Sequence, residues 1–138
     1  MALNLYIYSG LGNIIAIVDS VREDISLDAE DVLNLHNNKS ISFDQLIQVL
    51  PPQDPENDFD VEIYNNDGST ASNCINGARC VAKFIEDHSL SVSKQLKVNT
   101  IGGIWKLESM SEENYSATFL LSDVIKPISI SLEEINLN

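Results

Sequence analysis

The segment from Val61 to Ile85 constrains the chain more than any other, because three kinds of local structure follow one another in it without a gap. Val61-Glu62-Ile63-Tyr64 alternates apolar and polar side chains, the period of a half-buried strand. Asn65-Asn66-Asp67-Gly68-Ser69 is turn chemistry: Asn and Asp bond their own backbone, and Gly takes positive φ at no steric cost. From Asn76 the residues favour helix, with apolar side chains at Ala78, Val81, Ala82 and Ile85. Cys74 stands where the turn becomes the helix, and the rest of the chain reads as support for this unit.

That place has chemical consequences. The first turn of a helix carries backbone N–H groups without internal partners, and the macrodipole adds partial positive charge. A thiol there ionises more readily than a free one. The same N–H groups can hold a carboxylate, so a base and an anion site lie side by side. Gly77 has no Cβ, which lets a ligand come close to the backbone. Without a wider motif, the plainer reading is a structural cysteine beside a turn.

The wider motif is present. Asn65-x-Asp67-Gly68-Ser69, followed by Cys74-x-Asn76-Gly77-Ala78-Arg79-Cys80, resembles diaminopimelate epimerase, a cofactor-independent amino-acid epimerase. Gly10-Leu11-Gly12-Asn13, Phe43-Asp44-Gln45-Leu46 and the pair Thr100 and Gly103 are similar to further parts of the same pattern. The chain departs from it at Ile14-Ile15 (Asp-Phe in the family), at Ser40-Ile41-Ser42 (Gly-x-Gly) and at Ile75 (Gly). Proline racemase and phenazine-biosynthesis isomerases share the family fold but match the motif less well.

The resemblance implies roles. Cys74 is one of two acid–base groups, and the backbone N–H groups of Ile75 and Asn76 hold the substrate α-carboxylate. Asn13, Gln45 and Asn65 give amide contacts to the substrate. No cofactor or metal is implied. Such chemistry needs a base on one face of the α-carbon and an acid on the other, with the carbanion stabilised by preorganised donors. In the family the second cysteine belongs to a second domain. Cys80 does not replace it: six residues along one helix is roughly 9 Å, and a cysteine inside the helix packs as a small hydrophobe.

Taken in order, Leu3–Tyr8 reads as a strand, Gly10–Asn13 as a tight turn and Ile14–Val18 as a strand buried on both faces. Ser26 or Asp28 caps a helix over 28–36 with Ala29, Val32, Leu33 and His36 on its apolar side. His36 reads as a surface residue at a helix end. Phe43–Leu50 is a strand in which Gln45 would be exposed, and 96–100 with 104–108 form a hairpin. Tyr115–Leu121 is a further strand, while 129–138 gives no strong signal.

Many short strands around one helix that is apolar on several sides imply an α+β fold. The resemblance refines this to a curled, mainly antiparallel sheet wrapped round a central helix. Residues 1–138 are then a single domain like the first domain of the family, with the second absent from this chain.

A formal charge of −13, with only eight basic residues, argues against nucleic acid. No apolar run is long enough to span a bilayer, Asn4 interrupts the only N-terminal apolar stretch, and two cysteines make no disulfide framework, so a cytoplasmic protein is expected. The expected partners are a small amino-acid substrate and either a second domain or a weak homodimer closing the exposed cleft face. Two function classes stand at this point. One is an enzyme half that converts LL- to meso-diaminopimelate, serving lysine and peptidoglycan precursors. The other is a non-catalytic descendant that binds an amino acid or a protein.

Overall fold

A computed structural model of the chain describes residues 3–10, 12–37, 42–71, 75–111, 114–121, 128–132 and 136–137. Nine strands and two helices run in the order β1 (Tyr6–Gly10), β2 (Asn13–Asp19), α1 (Ala29–Asn37), β3 (Gln45–Leu50), β4 (Phe59–Asn65), α2 (Ile75–Asp87), β5 (Gln95–Thr100), β6 (Gly103–Ser111), β7 (Asn114–Leu121), β8 (Ile128–Leu132) and β9 (Asn136–Leu137). They form one sheet of order β8-β7-β6-β5-β4-β3-β2-β1-β9. Among the described residues only β2–β3 and β4–β5 pair in parallel, so the α+β, mainly antiparallel expectation holds.

The alternation of side chains in β2, β3 and β4 divides two cores. Ile15, Ile17, Ile47, Val49, Phe59, Val61 and Ile63 join Ala78, Cys80, Val81, Phe84 and Ile85 of α2. The residues between them, Ala16, Val18, Leu46 and Tyr64, face the other way and meet Val32 of α1 and Phe43. Successive strand residues point to opposite faces, so a strand buried on both must be apolar throughout. Ile15 through Val18 is, and all four are fully buried.

α2 approaches β1 and β2 on one side and β6 and β7 on the other. β1 and β7 are six strands apart in the order, roughly 29 Å across a flat sheet. A helix about 10 Å wide reaches both only if the sheet curls round it. The resemblance implied this wrapping.

Several boundaries and faces differ from the sequence reading. β1 begins at Tyr6 rather than Leu3, and β3 at Gln45 rather than Phe43, which instead fills the core beside α1. Asp28, not Ser26, caps α1: its Oδ1 accepts from Asp31 N at 2.9 Å, and its own N–H reaches Asp31 Oδ2 at 3.0 Å. Ala29 and Leu33 are exposed, and Leu35 packs inward beside Val32. His36 is only half exposed, its ring edge-on to Phe43 at 5.4 Å, so it is not a free surface histidine. Residues 128–132 and 136–137, which carry no pattern of their own, pair with β7 and β1. Leu11, Ser40, Ile41 and Cys74 lie outside the described residues, so the expectations for them are not addressed by the structure.

Candidate functional site

The strand directions gather the predicted amides at one edge of the sheet. β2 and β3 are parallel and begin at Asn13 and Gln45, while β4 runs the other way and ends at Asn65. Gln45 stands opposite Asn65 in the ladder and opposite Ile15 on its other side. Their side chains meet, with Gln45 Nε2 donating to Asn65 Oδ1 at 3.1 Å. Read from sequence, Gln45 was an exposed strand residue; here it is half buried and engaged.

Asp44 joins the three strands just ahead of these amides. Its Oδ2 accepts from Ile14 N at 2.7 Å, its N–H donates to Ile14 O at 2.8 Å, and its carbonyl accepts from Asn66 N at 3.1 Å. Asn66 Nδ2 adds a bond to Phe43 O at 3.3 Å. The mouth of the β1–β2 hairpin, where the chain has Ile14 in place of a family aspartate, thus receives its carboxylate from β3. Sequence reasoning missed this role, because Ile14 and Asp44 stand thirty positions apart and nothing local to either signals the bond.

The turn after β4 is closed by its own side chains. Asp67 Oδ1 accepts from Ser69 N at 2.9 Å and from Ser69 Oγ at 2.6 Å, and Asn65 Nδ2 donates to Ser69 Oγ at 3.0 Å. The bonds from Ser69, hydroxyl first, hold the Asp67 carboxyl below the usual aspartate range. Gly68 has φ +87°, and a Cβ on it would lie 2.6 Å from Ala29 O, so only glycine fits where the turn backs onto α1. Its place in the motif follows from that.

Ala71 N donates to Ile63 O at 2.9 Å, which brings the chain back alongside β4 before α2 begins. Three residues then separate Ala71 from Ile75, so α2 starts within at most about 14 Å of chain from the strand-end turn. The first turn of α2 has no acidic residue to compete for its N–H groups. Among the described residues Asn76 Oδ1 and Arg79 Nε are buried without a hydrogen-bond partner, and Arg79 as a whole is 4% exposed. No salt bridge to Arg79 occurs among the described residues. Cys80, one turn on, is fully buried in the α2 core, as a packing role requires.

Thr100 and Gly103 serve their own hairpin: Thr100 Oγ1 donates to Gly103 O at 2.7 Å and accepts from Gly102 N at 3.1 Å. A cleft of about 240 Å³ opens between the end of β4 and this hairpin, lined by Ile63, Tyr64, Thr70, Ala71 and Ile101. Two others, of about 280 and 420 Å³, lie against β5 and β6 and share no residue with the amide set. No group of His, Cys, Asp and Glu suited to a metal occurs among the described residues, nor is any helix there long and apolar enough to cross a membrane.

The diaminopimelate epimerase family profile matches residues 5–124. The chain is 43% identical over 105 residues to the diaminopimelate epimerase of Laribacter hongkongensis, covering 75% of this chain and 38% of that one. It is 42% identical over 96 residues to the enzyme of Chromobacterium violaceum, covering 69% and 35%. The chain therefore spans little more than a third of these relatives. In fold it is similar to a phenazine biosynthesis protein of the PhzF family from Enterococcus faecalis, with a TM-score of 0.66 at 12% identity over 86% of this chain and 44% of that one.

Proposed function

Because the chain belongs to the diaminopimelate epimerase family, we propose that it forms one wall of a cofactor-independent epimerase site for diaminopimelate and supplies one of its two acid–base groups. In this reading the thiol of Cys74 removes or returns the α-proton, according to substrate stereochemistry. The N–H groups of Ile75 and Asn76 receive the α-carboxylate, where they stabilise the charge that develops as the proton leaves. Asn13, Gln45 and Asn65 orient the rest of the amino acid. The second group, on the opposite face, comes from outside residues 1–138. The observation that carries the reading is the meeting of Gln45 and Asn65, with α2 beginning within three residues of the turn that follows them.

Half a site binds but turns over poorly. Losing a proton-transfer partner costs about 10²–10⁴-fold, and losing the enclosure costs more. Titration of the chain with meso-diaminopimelate, followed by amide NMR, is expected to move the signals of Ile75 and Asn76 and the side-chain NH₂ signals of Asn13, Gln45 and Asn65. α-Proton exchange into D₂O by the chain alone should be negligible. Shifts confined to other residues would sink the assignment. Shifts at these residues that survive alkylation of Cys74 unchanged would favour the non-catalytic, amino-acid-binding descendant.

A further inference from the structure

We propose that Asp67 is a positioning residue, which through Ser69 fixes the donor–acceptor polarity of the Asn65 and Gln45 amides and so decides which of their atoms meet a ligand. The proposal deepens the reading above, since that polarity matters to function only if these amides face the substrate.

The oxygen and nitrogen of an amide side chain have almost the same shape, so its orientation is dictated by the network around it. Here the network has a fixed origin. An ionised carboxylate only accepts hydrogen bonds. Ser69 has one hydroxyl proton, and at 2.6 Å from Asp67 Oδ1 that proton is committed to the carboxylate. Toward Asn65, Ser69 Oγ can then act only as acceptor, so the Asn65 atom 3.0 Å away is Nδ2. Asn65 consequently turns Oδ1 toward β3, and Gln45 answers with Nε2 at 3.1 Å. One negative charge orders three side chains across two strands. With the origin removed, the Asn65 amide can rotate by half a turn and offer Gln45 an N–H where it now offers C=O, which changes what the pair presents to a ligand.

Besides the Asp67 bonds, the turn has backbone bonds of its own that do not involve the Asp67 side chain. Asn65 N donates to Ser69 O at 2.8 Å, Gly68 N to Asn65 O at 3.0 Å, and Asn66 N to Asp44 O at 3.1 Å. The charged groups on the segments packed around it are Asp28, Glu30 and Asp31 at the start of α1, Asp44 ahead of β3 and Glu62 on β4. None of them contributes to the lowered pKa of Asp67, which comes from the Ser69 bonds. Asp67 therefore titrates as a local group.

Side-chain NH₂ signals of Asn65 and Gln45, followed by ¹⁵N NMR against pH in the ligand-free chain, test the proposal while the backbone spectrum stays dispersed. In the native sequence both are expected to move together as Asp67 takes up its proton, below the usual aspartate range. Asp67→Ala and Ser69→Ala should each abolish that response, the second by cutting the relay with the carboxylate intact. Asp67→Asn, whose amide oxygen still accepts, should keep the NH₂ positions near native but lose the titration. A response that persists in Asp67→Ala, or NH₂ signals that Ser69→Ala leaves in place, would overturn the proposal. So would a fall in the thermal midpoint with no change in these signals, since a merely structural turn would do that. With meso-diaminopimelate as probe, Asp67→Ala should weaken binding about tenfold, the effect of one misdirected hydrogen bond. Absence of binding by the native chain counts against the epimerase reading, whereas the relay is judged on the ligand-free signals.

Discussion

At its C-terminal end α2 is tied down by specific partners, whereas its N-terminal end keeps buried polar atoms that have none among the described residues. Tyr8 Oη donates to Asp87 Oδ2 at 3.1 Å, and Lys83 Nζ lies 3.2 Å from Asp87 Oδ1. The His88 ring sits 4.4 Å from Tyr6 and 4.6 Å from Phe84. Arg22, paired to the buried Asp19, reaches His88 Nδ1 at 3.4 Å. One turn from the other end, Asn76 Oδ1 and Arg79 Nε are buried and unpartnered. Buried polar groups cost free energy unless they are matched, so an end left unmatched is a burden on the fold. In the proposed reading, such an end is where a ligand or a facing wall would complete the bonding. The contrast separates the end that holds the helix from the end that the proposed reading assigns to chemistry.

The largest effect is expected at the tied end. Phe84→Ala removes a fully buried ring under His88 and beside Tyr6, and should cost about 3–5 kcal/mol in urea unfolding. A loss under about 1 kcal/mol would mean that this end is not the anchor.

Tyr8→Phe at the same end should cost about 1 kcal/mol at neutral pH, the net worth of one hydrogen bond. Its pH dependence is sharper evidence. Burial first, and Asp87 second, push the Tyr8 hydroxyl above the ordinary tyrosine range. The raised pKa gives stability that is complete below the unfolded tyrosine pKa, near 10, and that declines as pH rises through the folded value. Unfolding followed upward from pH 9 should show a decline that Tyr8→Phe reduces. Equal slopes in the two proteins would remove Tyr8 from the clasp.

The smallest stability change is expected at the open end. Arg79→Met keeps most of the volume and removes a buried cation that has no salt bridge among the described residues, so stability should stay within about 1 kcal/mol or rise. A loss above about 2 kcal/mol would show that Arg79 is matched after all, and the contrast between the ends would fail.

Much of this was legible in residue order. The alternation at Val61–Tyr64 and the apolar run Ile14–Val18 announced β4 and β2, and the helix signal after Asn76 announced α2. Asp67 and Ser69 announced a turn, and the motif drew attention to Asn65 and Gln45 as amides of interest. Hidden from view were Asp44 as the clasp on Ile14, the carboxylate relay, and the contact of His36 with Phe43. Each depends on a partner on another element, and composition at one position does not name its partner at another.

The sequence by itself determined the periods, the turns and the motif, because strand alternation, glycine conformations and helix formation are set within a few residues. Tertiary structure alone decided which strands run parallel, that β8 and β9 form at all, and that the amides at Asn13, Gln45 and Asn65 share one edge. Those outcomes depend on a register that buries Ile15 and Ile17 against α2 while burying Ala16 and Val18 against α1. A one-residue slip would exchange the two faces, so the choice belongs to the whole sheet and both cores together.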